Sequence, residues 1–280
     1  IIYEKIFVLS PAIYYSITPK DKNDDEKLST SLQKITEEDP SIVLERSKET
    51  KELLLGCQGD KHLEVALNKL ESKFGVHAIV SEPKVAYKET IRKSVNVQGK
   101  HKKQSGGAGQ YGDVFIKFEP STEIFEFHDE IHGGVVPKQY IPAVEKGILE
   151  AMEKGSLAGF PVINIKATLN DGSYHAVDSN EISFKLAAIL AFRKAMEIAN
   201  PVLLEPIMKI TIEVPEEYIG DIIGDLNKRR GKIIGMEQNK LGKQLITADV
   251  PHNEILKYAL DLKSMTQGRG ISNFEFSNYQ

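Results

Sequence analysis

Residues 102–117 read KKQSGGAGQYGDVFIK, and the fold turns on the kind of element that succeeds their glycines. Gly107-Ala108-Gly109-Gln110-Tyr111-Gly112 spells G-x-G-x-x-G, and Val114 extends it to the pattern of a kinase glycine-rich loop. A dinucleotide fingerprint needs a helix after the loop, because the pyrophosphate sits on the helix N-terminus. Here residues 113–118 come next, rich in β-branched and aromatic types, and they read as a strand. A kinase loop does lie between strands, but the chain has no H-R-D segment and no D-F-G. The stretch is a strand–loop–strand corner, and the doubly wound nucleotide folds are excluded.

Working outward, two distant segments share one order of elements. Residues 12–17 form a strand, 24–38 a helix ending before Pro40, and 42–45 and 53–57 two strands. Asp60 reads as the N-cap of a helix with Leu63, Leu67, Leu70 and Phe74 on one face; Gly75 closes it, and 76–80 is a strand. Near the end the order returns: strand 208–214, helix 217–228, strands 232–237 and 244–250, helix 252–265, strand 271–276. This is the split-βαβ, ferredoxin-like βαββαβ pattern, twice. Between the copies the pattern differs, with strands at 86–91, 114–118, 125–128 and 162–169. A helix runs from Pro137 to about residue 153, and another, capped by Asn180, covers 181–198 with Phe184, Ala188, Ala191 and Ala195 on one face. Pro201 and Pro206 mark a hinge. The predicted fold class is α+β, three small domains: a residual linker at 1–10, ferredoxin-like domains at 11–84 and 206–280, and a different α+β domain at 85–205 with projecting loops.

Composition narrows the classes of function. The 280 residues carry a net charge of −4, which argues against a surface coated for duplex DNA. One cysteine, Cys57, allows no internal disulfide and no metal-site spacing. No apolar run reaches membrane-spanning length, and no membrane partner is expected. The chain opens IIYEKIFVLSP, without methionine, and reads as continuing from residues upstream. Basic character is local, at Lys100–Lys103 and in the run from Lys228 through Arg229 and Arg230 to Lys232. No metal site is expected: His128 and His132 stand four apart, but across a strand end and a Gly-Gly turn rather than on a helix.

A second loop, residues 170–180, reads NDGSYHAVDSN and is longer than a simple connection requires. Tyr174 and His175 in it supply stacking and hydrogen-bonding groups, while Asp171-Gly172 is turn chemistry and residues 178–180 suit a helix start.

Several long motifs now stand in order: QSGGAGQYG (104–112), HDEIHGGVVPKQYIPAVEKGI (128–148), LNDGSYHAVDSNEISFK (169–185), PVLLEPIMKITIEVPEEYIGDIIGDLNKRRG (201–231) and GRGISNFEF (268–276). Together the chain resembles bacterial-type translation elongation factor G, over its third, fourth and fifth domains. The resemblance implies a mechanical role. An N-terminal domain outside this chain would bind GTP with magnesium; no cofactor is expected within it, and as it carries no G-x-x-x-x-G-K-[ST] it is expected not to hydrolyse GTP. The fourth domain would enter the decoding region of the small ribosomal subunit and help move tRNA and mRNA by one codon. The fifth would meet the GTPase-activating centre of the large subunit. The implied setting is the cytoplasm of a bacterium or an organelle, and the implied state a monomer. By the same resemblance both loops lie at the tip of the fourth domain.

The implied RNA contacts are Ser105, Gly106, Gly107, Gln110, Tyr111, Ser173, Tyr174, His175 and Asp178, supported by Lys102, Lys103, Arg229 and Arg230. Such residue types fit the task. Glycine lets backbone approach a phosphate closely, glutamine reaches base edges or ribose, tyrosine stacks, and lysine supplies a sequence-independent pull. The chain departs from the family at Ala108, where a basic residue is common, and at Ala176, where an acidic one is. Those departures also suit a divergent paralogue. A tetracycline ribosomal-protection factor shares the architecture but carries other tip loops, and a small-molecule enzyme using the glycine loop with His175 as base is the rival from another class.

Overall fold

The computed structural model describes residues 11–104, 109–239 and 242–280. The described residues up to Ala86 join Pro206–Gln280 in one compact unit, and Tyr87–Glu205 form a second. Among the described residues no helix is long and apolar enough to cross a membrane.

The first unit opens with β1 (Ile13–Pro19), α1 (Asp25–Glu38), β2 (Val43–Arg46), β3 (Leu53–Cys57), α2 (Asp60–Phe74) and β4 (Ala78–Ser81). The strands lie in the order β2-β3-β1-β4, each pair antiparallel, as the split-βαβ pattern requires. Alternate residues of β1 (Ile13, Tyr15, Ile17) bury against Leu28, Leu32 and Ile35 of α1 and Leu63, Ala66 and Leu70 of α2. Gly75 ends α2 in the left-handed conformation at φ 62°. Asp60 differs from expectation. It is the first helical residue, with Gly59 in the cap position, and its carboxylate accepts the Tyr15 hydroxyl at 2.5 Å. Cys57 is fully buried, and burial pushes its thiol up to about 11, so it is packing rather than a nucleophile.

The second unit comprises β5 (Lys88–Ile91), β6 (Val95–Lys103), β7 (Gln110–Pro120), β8 (Phe125–Asp129), α3 (Ile141–Lys154), β9 (Ile165–Ser173), α4 (Glu181–Ile198) and β10 (Pro201–Leu204). Its main sheet has the order β6-β7-β9-β8, with β8 and β9 parallel. Alternate residues of the sheet (Val97, Val114, Ile116, Phe118, Ala167, Leu169) share one core with α3 and α4. β6 is absent from the sequence reading, because the Val95/Val97 alternation gives way to lysines and a histidine. The expected hinge at Pro201 is strand β10, paired antiparallel with β5. Pro137 precedes a 3-10 turn, and α3 itself starts at Ile141 with Pro142 in its first turn.

The remainder of the first unit holds β11 (Pro206–Val214), α5 (Ile219–Lys228), β12 (Lys232–Gln238), β13 (Gln244–Pro251), α6 (Tyr258–Met265) and β14 (Ile271–Tyr279). The order β12-β13-β11-β14 repeats that of the first sheet. Its core gathers Ile210, Ile212, Ile222, Leu226, Ile246 and Tyr258. The helix expected over 252–265 is broken: a 3-10 turn covers His252–Glu254 and α6 begins only at Tyr258. One reason lies in a residue distant in sequence: the Glu254 carbonyl accepts the Arg229 guanidinium at 2.7 Å.

Candidate nucleic-acid interface

Small residues decide where the second unit's loops end up. A Cβ on Gly99 of β6 would overlap the Ala187 carbonyl oxygen of α4. One on Gly112 of β7 would come within 2.5 Å of the Ser183 carbonyl oxygen, and one on Gly147 of α3 within 2.5 Å of the Lys185 carbonyl oxygen. Ala187, Ala188, Ala191 and Ala195 make the facing side of α4 equally slim. The helix therefore sits close on sheet and neighbour alike. Asn180 caps α4, its side chain accepting the Ser183 N–H at 2.9 Å. That fixes the start of α4, and with it the loop 174–180, beside the end of the β6–β7 hairpin.

The two loops are joined by hydrogen bonds. The Asp178 carboxylate accepts the Gly109 N–H at 3.1 Å, and the Asp178 carbonyl accepts the Tyr111 N–H at 2.9 Å. Ser179 Oγ donates to the Tyr111 carbonyl at 2.9 Å and accepts the His175 N–H at 2.8 Å. Residues 111 and 179 form a parallel β-bridge. Beneath, Tyr140 donates its hydroxyl to the Ser179 carbonyl at 3.1 Å while its ring stacks on Phe184, centroids 4.9 Å apart.

The expected contact residues divide by geometry. Tyr174, His175 and Val177 project, with Tyr174 51% and Val177 77% exposed. Tyr111, Ser173 and Asp178 hold the loops together. The Tyr111 and Ser173 hydroxyls meet at 2.7 Å, and Ser173 donates to buried Asp113 at 2.8 Å. Asp113 also accepts the Gln98 amide at 2.8 Å, with Lys100 Nζ 3.7 Å away. The same ammonium lies 5.4 Å over the Tyr111 ring. Gln110 is half engaged: its Oε1 pairs with His101 Nε2 at 2.8 Å. Lys102 and Lys103 are exposed at the end of β6. Ser105, Gly106 and Gly107, with Ala108, lie outside the described residues.

Arg229 is engaged within its own unit. Its guanidinium bonds Asp225 at 2.7 Å and Asp261 at 2.8 Å, stacks 5.0 Å over Tyr258, and its side chain is only 20% exposed. Arg230 remains 55% exposed, 3.2 Å from Glu254. Sequence reading missed Ser179, Tyr140 and Asp113. Each is an ordinary residue type whose role exists only once the two loops adjoin.

The glycine loop lacks the setting of a dinucleotide fingerprint. Gly112 lies inside β7, where it is needed for contact with α4, and no helix N-terminus succeeds it. Among the described residues no group of three His, Cys, Asp or Glu is placed to hold a metal ion.

Comparison with known proteins gives the chain its setting. Family models match along it in order: "Elongation Factor G, domain III" over residues 8–82, "Elongation factor G, domain IV" over 83–200 and "Elongation factor G C-terminus" over 202–280. A crystal structure of a Thermus thermophilus protein superposes with a TM-score of 0.87 at 46% identity over 98% of this chain. The chain spans 41% of that protein's length.

Proposed function

The chain belongs to the elongation factor G family of translation factors, and we propose that it is the part of such a factor that engages tRNA and mRNA during translocation. The observation that carries this reading is the joined pair of loops, which presents Tyr174, His175 and Val177 from a base locked by Asp178 and Ser179. Two loops tied together by hydrogen bonds, with an exposed aromatic, an exposed imidazole and lysines at the end of β6, have the chemistry to meet an RNA backbone and stack on a base. Gln110, Lys102 and Lys103 flank it, while Ser105, Gly106 and Gly107 would bring backbone N–H groups. Tyr111, Ser173 and Asp178 support the tip from within, and Arg230 contributes from a separate surface.

In this reading the partners are the decoding region of the small subunit, the GTPase-activating centre of the large subunit, tRNA and mRNA, in the cytoplasm. GTP and its magnesium ion bind the parent protein outside these residues, and the chain itself performs no chemistry. His175 is a contact and moves no proton. The test is messenger movement, tracked by toe-printing, on programmed ribosomes with the full-length parent. His175→Ala should slow the one-codon shift about tenfold or more, as loss of one charge-assisted contact predicts, and leave stability within about 0.5 kcal/mol. Release of tetracycline without movement of the messenger would replace this reading by ribosomal protection.

A further inference from the structure

The loop 175–179 is built around one nitrogen. His175 Nδ1 lies 3.3 Å from the Val177 N–H and 3.2 Å from the Asp178 N–H, both of which donate to it. Asp178 Oδ2 stands 3.4 Å from the same atom, but an Nδ1 proton would point at two N–H donors. In the neutral ring the Nδ1 lone pair is thus occupied, and the proton belongs on Nε2. Among the described residues Nε2 has no hydrogen-bond partner, and the side chain is 55% exposed.

Ser179 makes that geometry hold. Its hydroxyl accepts the His175 N–H and donates to the Tyr111 carbonyl, and its own N–H returns to the His175 carbonyl at 3.1 Å. Asp178 bolts the turn to the first loop through Gly109. Resting on the translocation function, we propose that Ser179 and Asp178 are positioning residues that set His175 as its Nε2–H tautomer and present that N–H to an oxygen of an RNA backbone. The choice matters because the other tautomer would offer a lone pair to an acceptor and repel it. Phosphate and ribose oxygens share the required acceptor chemistry.

Two measurements test this. Long-range proton–nitrogen spectra of the nitrogen-15-labelled chain, at a pH where the ring is neutral, should show Nε2 protonated and Nδ1 bare. Ser179→Ala should bring the two nitrogen shifts together, towards mixed tautomers, and Ser179→Thr, which keeps the hydroxyl, should restore them. A protonated Nδ1 in the unaltered chain, or shifts indifferent to Ser179→Ala, overturns the proposal. The second measurement is affinity for ribosomes programmed with mRNA and a P-site tRNA. The glutamine amide nitrogen reaches the Nε2 position and the asparagine one the Nδ1 position. His175→Gln should therefore stay within about threefold and His175→Asn lose about tenfold, the scale of one good hydrogen bond. Equal losses for both overturn the outward Nε2 contact. Backbone-modified tRNA, 2′-deoxy in one arm and methylphosphonate in the other, identifies the acceptor by the arm in which His175→Ala ceases to matter. Should the tautomer be set as stated while no version binds programmed ribosomes, the proposed function fails and the positioning by Ser179 and Asp178 stands.

Discussion

Glu89 has no solvent exposure, and its carboxylate accepts four backbone N–H groups, from Ser156 and Leu157 at 2.9 Å, Ala158 at 2.7 Å and Phe160 at 3.0 Å. Burial is the largest single influence and pulls its pKa up, but the four bonds together outweigh it and hold the group below the usual carboxylate range. The folded value is thus below the unfolded one. The stabilisation is complete above about pH 4.3, the unfolded value, and is lost as pH falls through the folded one. Glu89→Gln leaves N–H donors facing an amide NH2 group and should cost about 2–3 kcal/mol at neutral pH. Urea titrations from about pH 7 down through the folded value should show that deficit shrinking; a constant difference would mean the nest does not act through charge. Arg229→Ala gives the opposite kind of evidence. It should lower stability by about 2 kcal/mol, since two carboxylates and a carbonyl lose their donor. Ribosome affinity should hold; a selective loss of affinity with stability intact would return Arg229 to the contact surface.

At the scale of elements, the loop 174–180 is placed by α4. Its helical period was readable from Phe184, Ala188, Ala191 and Ala195, all of which are buried. Its close approach to β6 was not, because nothing local to residues 95–103 says that Gly99 sits beneath the Ala187 carbonyl. Gly99→Ala should therefore cost about 1–3 kcal/mol through overpacking, and should displace the loop beyond Asn180. Thermal melts read the first effect, and amide shifts of residues 174–180 read the second. A stable Gly99→Ala protein with unmoved shifts would show that α4 has slack against the sheet. The same logic explains the broken helix near residue 255. Periodicity favoured continuation, but Arg229, distant in sequence, takes the Glu254 carbonyl.

At the scale of the molecule, Tyr87–Glu205 interrupts a unit whose two halves lie on either side of it in sequence. Glu89→Gln consequently has a spatial signature. Hydrogen exchange should quicken over residues 87–205 and change little over 11–86 and 206–280; uniform quickening would mean one cooperative block. The α+β class and the two βαββαβ orders follow from the sequence alone, because hydrophobic period, glycine stops and proline breaks act within a dozen neighbouring residues. The sequence also carried the family, through long motifs in order, and it marked both loops as unusual. Which residues in those loops point outward and which tie them together becomes clear from the folded arrangement. Tyr111, Ser173 and Asp178 carry the same polar groups as exposed contacts would, and their inward use depends on partners about 60 to 70 positions away in the chain. Hydrogen-bond partnership across such a separation leaves no periodic trace in a single sequence, whereas burial along a helix or strand does.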